Sequence, residues 1–318
     1  MSAETTPEER LMLRHTVAAL VDKHAESEAV RRAIDSERGY DETLWTMLCE
    51  QVGAAALVVP ESQGGAGGGL ADAAAVLEEL ARGLVPTPLL ATTCAEFALM
   101  AADNPDPDTL AQLAAGQLIG TVVFDPDYVI NGDVADVVLA VGDGRVTRWT
   151  EVSTEPHTSL DPTRRLARLT PGCTADIGAD PGLADIVTVL SAAEQIGAAS
   201  CCLERTVEYT KQRVQFGRPI GSFQALKHRM ADLYVAVQSA RAVVGEAVSA
   251  LTPVTAARAG LAAGETFCRV AGEAIQLHGG IAITWEHDMH LYFKRAHTSA
   301  QLFGPAREYL RRLESEVL

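Results

Sequence analysis

Two segments of the sequence combine residue types and spacings suited to holding a ligand. The first is Arg213-Val214-Gln215-Phe216-Gly217-Arg218-Pro219-Ile220-Gly221-Ser222-Phe223-Gln224-Ala225-Leu226-Lys227-His228. Arginine can grip phosphate oxygens with two parallel hydrogen bonds. Gln215 and Gln224 add donors, while Gly217 and Pro219 fix a turn. The chemistry suggested is anion binding at a helix–turn–helix joint; a plain structural joint is the other reading. The second segment, Gln276-Leu277-His278-Gly279-Gly280-Ile281-Ala282-Ile283-Thr284-Trp285-Glu286, ends a helix at paired glycines. Main chain without a Cβ lets a ligand approach closely, although an ordinary glycine cap has the same look.

Other candidates are weaker. The loop Gly64-Gly65-Ala66-Gly67-Gly68-Gly69 invites a phosphate-binding reading, but it lacks the Gly-Lys-Ser/Thr ending of a nucleotide P-loop. A flexible surface turn is the expectation there. His278, His287, His290 and His297 lie close together, and His287 and His290 are three apart, as two ligands on one helix face would be. No third ligand is evident, and Trp285, Met289 and Tyr292 suggest packing. No Gly-x-Ser-x-Gly elbow or Cys/His nucleophile pattern is present. The six cysteines are scattered without a C-x-x-C pair and read as buried, reduced thiols, with Cys201 and Cys202 on two faces of one helix.

The elements that must position these residues follow from composition and period. A chain of 318 residues, 47% hydrophobic and 21% charged, is globular and long enough for two or three domains. Low aromatic content with abundant Ala and Gly favours closely packed helices. The net charge of −16 argues against general nucleic-acid binding. Acids dominate before about residue 120, whereas Lys and Arg outnumber them after residue 200. That asymmetry suggests that the C-terminal part meets an anion, either cofactor phosphates or an acidic partner surface. The acidic N-terminus is unlike a secretory signal. No apolar run is read as reaching the roughly 20 residues of a membrane span, so a cytoplasmic protein is expected.

Thr6-Pro7-Glu8-Glu9 reads as a capping box with proline at the first helical position. Asp41 opens another helix carrying Leu44, Trp45, Leu48 and Val52, and a further helix runs from Leu70 to Arg82 with Gly83 as its cap. Short β-prone runs at Thr121–Phe124, Val137–Val141 and Arg145–Thr147 fit a small sheet, with no room for a βαβ unit. Helical period then returns over about 183–212, 222–250, 255–278 and 286–314, an antiparallel bundle. The fold class expected is mainly α with a small β domain, divided 1–117 (helical), 118–182 (β) and 183–318 (bundle).

Taken together, the R-x-Q-F-G-R-P-I-x-x-F-Q run and the later Q-x-x-G-G resemble the acyl-CoA dehydrogenase family. The likeness covers nearly the whole chain and extends to Val59-Pro60-Glu61-x-x-Gly64-Gly65-x-Gly67 followed by Glu78-Glu79-x-x-Arg82. It implies an N-terminal helical domain, a middle β domain and a C-terminal four-helix bundle. It also implies FAD as cofactor and an acyl-CoA substrate oxidised to the 2,3-enoyl-CoA, with a glutamate as general base and hydride transfer to the flavin. By the same resemblance Arg213, Gln215, Phe216 and Gln224 would hold pyrophosphate and adenosine. Gln276, Gly279 and Gly280 would cover the ADP of an FAD whose flavin lies in a neighbouring subunit.

The departures from the family pattern matter equally. The base usually stands about 27 residues beyond the Gln of Q-x-x-G-G, and Phe303 occupies that place. In members that carry the base on the preceding helix, the matching position is nearest Val187. Neither side chain accepts a proton; Asp185 and Glu194 are the nearby carboxylates. The middle domain is short, with no counterpart of the family's Thr-Glu-Pro-x-x-Gly-Ser-Asp segment, and Ala282 replaces a common glycine. The resemblance therefore implies an α2β2 heterotetramer with a homologous subunit that supplies the base, an electron-transfer flavoprotein-type acceptor, and a bulky, steroid-derived acyl-CoA. The rival expectations are a self-sufficient homomer using a carboxylate such as Glu194, and a non-enzymatic scaffold or CoA-binding subunit.

Overall fold

Thr6 starts the first helix as its side chain dictates. In the computed structural model, which describes residues 5–317, its hydroxyl accepts from the Glu9 N–H at 3.3 Å and its own N–H donates to the Glu9 carboxylate at 2.8 Å. This reciprocal cap opens α1 (Pro7–His24). A short helix absent from the sequence reading follows, α2 (Ser27–Ile34). Asp41 caps α3 (Glu42–Met47) through the Thr43 and Leu44 amides, and the chain widens into a π turn over Leu48–Val52. Then come α4 (Leu70–Arg82), within the limits read from the sequence, α5 (Leu89–Met100) and α6 (Pro107–Ala114).

The middle segment forms two small sheets. Strands β1 (Gly120–Val123), β3 (Val137–Gly142), β4 (Arg145–Thr150) and β7 (Cys173–Ala179) lie in that order, with β1 and β3 parallel and the other pairs antiparallel. Strands β2 (Val129–Ile130), β6 (Leu166–Thr170) and β5 (Ser153–His157) form the second sheet. Val123, Val129, Val138, Ala140, Ala167 and Leu169 fill the space between them. Helix α5 packs on β1, and all of β1 is buried. A strand covered on both faces reads as a continuous apolar run rather than an alternating one.

The remainder is helical: α7 (Leu183–Gln212), α8 (Gln224–Ser249), α9 (Pro253–His278), α10 (Met289–Leu302) and α11 (Ala306–Val317). Between α7 and α8 lies a two-stranded hairpin of β8 (Val214–Gln215) and β9 (Arg218–Pro219), where the sequence suggested only a turn. The abundance of small residues has its expected use. A Cβ on Gly197 would stand 2.0 Å from the Glu78 carbonyl oxygen, so glycine is what lets α7 cross α4 this closely.

Three expectations need correction. The cysteines are not all buried: Cys173 on β7 is exposed, and Cys201 and Cys268 are half-buried. The stretch 286–314 is two helices rather than one, broken at Phe303-Gly304-Pro305. Gly304 has φ of +134° and Pro305 has no N–H to continue a ladder. The absence of a long apolar run also fails. Helix α7 is long and apolar enough to cross a bilayer, yet 89% of its most apolar stretch is buried inside the fold. It is the core helix, packed by α4, α8 and α9. A helix surrounded by other helices is apolar on all sides.

Candidate functional site

The two ligand-suited segments meet at one end of the bundle. Tyr209, one turn before Arg213 on α7, stacks on His278, the last residue of α9, with ring centroids 4.2 Å apart. The Tyr209 hydroxyl donates to the His278 carbonyl at 3.2 Å. Gln224, at the start of α8, comes to the same end through the hairpin and the Ile220–Ser222 turn, where Gly221 lies against Thr210. Arg213 caps α7 with its N–H on the Tyr209 carbonyl, and its carbonyl accepts from Ile220 at 2.8 Å. Its exposed guanidinium has no ion pair or hydrogen bond among the described residues.

The hairpin holds apolar surface in solvent. Phe216 and Gly217 both have positive φ, +54° and +80°. A type I′ hairpin turn requires that pair, and a bulky residue adopts it at a cost. The Phe216 ring is consequently 92% exposed, with Phe223 edge-on at 6.2 Å and Arg218 over the Phe223 ring at 4.1 Å. Gln215 spends its side-chain amide on the adjacent Val214 carbonyl. Across the end of the bundle Gln276, Gly279 and Gly280 are exposed. Gly279 has φ of +67°, and nothing stands within 4 Å of a Cβ built on either glycine. Open main chain and an unpaired guanidinium thus lie at the same end of the bundle, a donor set that suits a diphosphate.

Sequence reasoning missed what anchors this cradle. Asp288, just past the exposed segment, accepts from Ser27 Oγ at 2.5 Å, Arg31 Nη2 at 2.9 Å and Arg205 Nη1 at 3.1 Å. Burial pushes its carboxyl up, but the Ser27 and Arg31 hydrogen bonds and the Arg205 charge outweigh that and hold it below its ordinary range. These partners come from distant parts of the chain, and no local pattern reveals them.

The histidines are engaged in packing. His278 Nδ1 lies 2.8 Å from the Ala274 carbonyl, and its ring faces His287 at 4.8 Å. His287 Nδ1 accepts from the Met289 N–H, and His290 stands 4.7 Å from Trp285. The glycine loop is closed on itself. The Gly65, Ala66, Gly67 and Gly68 amides donate to the carbonyls of Pro60, Ala56, Val59 and Leu57, and the Gly69 amide donates to Asp72. With those amides consumed, the loop has little left to offer a phosphate.

The two positions where a base would stand converge. Phe303 and Val187 line one pocket with Cys94, Val122, Phe124 and Ile130. Its free interior is about 20 Å³, room for about one water molecule. Asp125, the one carboxylate on its lining among the described residues, is exposed and accepts from the Asp127 N–H at 2.9 Å. The other carboxylates considered are paired elsewhere. Asp185 is bonded to Arg312, and Glu194 forms a buried ion pair with Arg164. Arg164 also reaches Ser299, and beside it Arg295 grips Asp161 at 2.6 Å.

The family models "Acyl-CoA dehydrogenase, N-terminal domain" and "Acyl-CoA dehydrogenase, C-terminal domain" match residues 7–104 and 188–315. The chain is 66% identical to "Acyl-CoA dehydrogenase IpdE2" of Mycobacterium tuberculosis over 98% of both proteins. Among solved structures it resembles a chain of the ChsE4-ChsE5 complex from Mycobacterium tuberculosis, with a TM-score of 0.89 and 27% identity over 98% of each chain. It likewise resembles a variant of the Tcur3481-Tcur3483 steroid ACAD, with a TM-score of 0.90 and 27% identity over 98% of each.

Proposed function

The chain belongs to the acyl-CoA dehydrogenase family, and from that premise we propose that it is the cofactor-gripping subunit of a heteromeric enzyme. FAD, the cofactor of this family, accepts the hydride from the substrate's β-carbon when bound. This chain's part is to hold the ADP half. Arg213 takes the diphosphate with its free guanidinium, and Gln215, Phe216 and Gln224 bear on the adenosine side. Gln276, Gly279 and Gly280 close over it from the end of α9. The open space at both glycines and the unpaired Arg213 support this assignment.

The observation that carries the division of labour is the pocket shared by Phe303 and Val187. Both positions for a base face it, both are apolar, and its interior admits little more than a water. A homologous partner subunit then supplies the catalytic glutamate and the flavin cradle, in an assembly of two copies of each chain. The likeness to a chain of the ChsE4-ChsE5 complex supports a partner, and the likeness to the Tcur3481-Tcur3483 steroid ACAD supports a bulky, ring-bearing acyl-CoA. Electrons leave to an acceptor of the electron-transfer flavoprotein type. Residues 1–117, 118–182 and 183–318 act as three domains, the last carrying the ADP grip. The self-sufficient reading is less favoured, because Glu194 and Asp185 are committed to Arg164 and Arg312.

Visible absorbance tests the proposal. The chain purified alone should carry little flavin. Co-purified with a partner subunit of the same family it should carry about one FAD per two chains, bleached by acyl-CoA. A yellow chain that bleaches by itself would overturn the division of labour. No flavin in the pair would overturn the cofactor assignment.

A further inference from the structure

Arg205, Tyr209 and Arg213 follow at intervals of four on α7 and at its end, so one broad stripe of the helix carries all three. The first two are occupied. Arg205 reaches Asp288 at 3.1 Å, and Tyr209 stacks on His278 and donates to its carbonyl. The segment 279–287 runs between those two fixed points and begins with the Gly279-Gly280 turn. Arg213, the third of the stripe, is unpaired among the described residues. We propose that Tyr209 and Arg205 are positioning residues that hold the Gly279-Gly280 turn against Arg213, so that one diphosphate is met from both sides. The proposal rests on the reading that Arg213 and the two glycines grip the ADP half of FAD.

The physical case is pre-ordering. Two glycines with open space around them are the most costly residues to immobilise when a ligand arrives. Tying the segment at both ends to the helix that carries Arg213 moves that ordering from binding to folding. The tie at Asp288 has three strands, because Ser27 and Arg31 of α2 share the carboxylate with Arg205. That gives the short helix α2 a part in the site. The tie at His278 is backed by the His287 ring and by the Nδ1 contact with the Ala274 carbonyl, so the stack has one orientation.

The test is FAD titration of the flavin-stripped complex with its partner subunit, read by flavin fluorescence. Tyr209→Phe keeps the stack and deletes one neutral hydrogen bond, so FAD affinity should fall about fivefold. Tyr209→Ala should cost on the order of 30-fold, with the KM for acyl-CoA unchanged. A merely structural role would add independently to the loss in Arg213→Ala. A positioning role makes the double variant Tyr209→Ala/Arg213→Ala lose at least about fivefold less than the product of the single losses.

If Arg213→Ala itself leaves FAD affinity unchanged, the underlying reading of the grip fails. If Arg213→Ala weakens binding but Tyr209→Ala does not, or the two losses multiply without coupling, the positioning proposal is overturned and the grip stands. Should Tyr209→Ala fail to assemble, Tyr209→Phe and Arg205→Lys decide: wild-type FAD affinity in both would overturn the proposal.

Discussion

Phe303 stands edge-on to Phe124, with ring centroids 6.0 Å apart and planes at 83°, closing a pocket whose lining includes Val187. Edge-to-face pairs of this kind are attractive beyond their buried area. On the proposed assignment, packing stands here in place of a proton acceptor. Phe303→Ala should therefore lower the stability of this chain by about 2 kcal/mol, less than a fully buried Phe truncation because the ring is only half-buried. Turnover of the proposed heteromeric complex should stay within about twofold. Denaturant unfolding and steady-state kinetics measure the two. A collapse of turnover with stability intact would mean that Phe303 touches the substrate.

Asp161 and Arg295 make a deeply buried ion pair between the middle segment and α10, at 2.6 Å, with Asp161 fully buried. Thr163 accepts from the same guanidinium and donates to Asp161, and the neighbouring Arg164 joins Glu194 and Ser299. The cluster fastens the loop before β6 to α7 and α10. Removing one partner leaves a buried charge uncompensated, which costs about 3–5 kcal/mol. Arg295→Met should show that loss in denaturant unfolding, and Arg295→Met/Asp161→Leu should recover most of it. Equal losses in the single and double variants would show that the pair is not the unit of stability.

The parts of this structure that were legible in the sequence are those set by local chemistry. The Thr6 capping box and the Leu70–Arg82 helix are fixed by neighbours in the chain. Pro305 carried the information for the break after α10, but the helical period on either side masked it. Helix α2 is eight residues long, too short for periodicity to single out. Arg213 and the paired glycines were legible as a motif, whereas their anchors were not. Asp288 is held by Ser27, Arg31 and Arg205, and the Asp161–Arg295 pair likewise joins residues far apart in sequence. Such pairings are made by tertiary packing alone.

Arg213 offers a separate handle on the proposed cofactor grip. Its guanidinium is exposed and unpaired among the described residues, so replacing it should disturb little else in the fold. Arg213→Lys keeps the charge but loses the planar fork that can bond two phosphate oxygens at once. FAD retention by the complex should fall about tenfold during gel filtration or dialysis, with the melting temperature of the flavin-free protein unchanged. Full retention would remove Arg213 from the cofactor site.

Glu96 gives the fold an alkaline weakness. It lies on α5 fully buried, and neither carboxylate oxygen has a hydrogen-bond partner among the described residues. Burial pushes its carboxyl well above the ordinary range, so the folded protein holds a proton that the unfolded chain releases. Between the unfolded value, about 4.5, and the raised folded one, the folded state binds more protons than the unfolded state. Stability contributed by this group is therefore present at acid pH and lost as pH rises, by up to about 1.4 kcal/mol per pH unit. Glu96→Gln cannot ionise, so its advantage over the wild type should grow as pH rises. Glu96→Met also removes the unsatisfied polar atoms and should be stabilising by about 1–3 kcal/mol at neutral pH. Urea unfolding of the three proteins from pH 5 to pH 8 makes the comparison. Parallel curves for wild type and Glu96→Gln would show that Glu96 is ionised in the fold and has a partner that restores its charge.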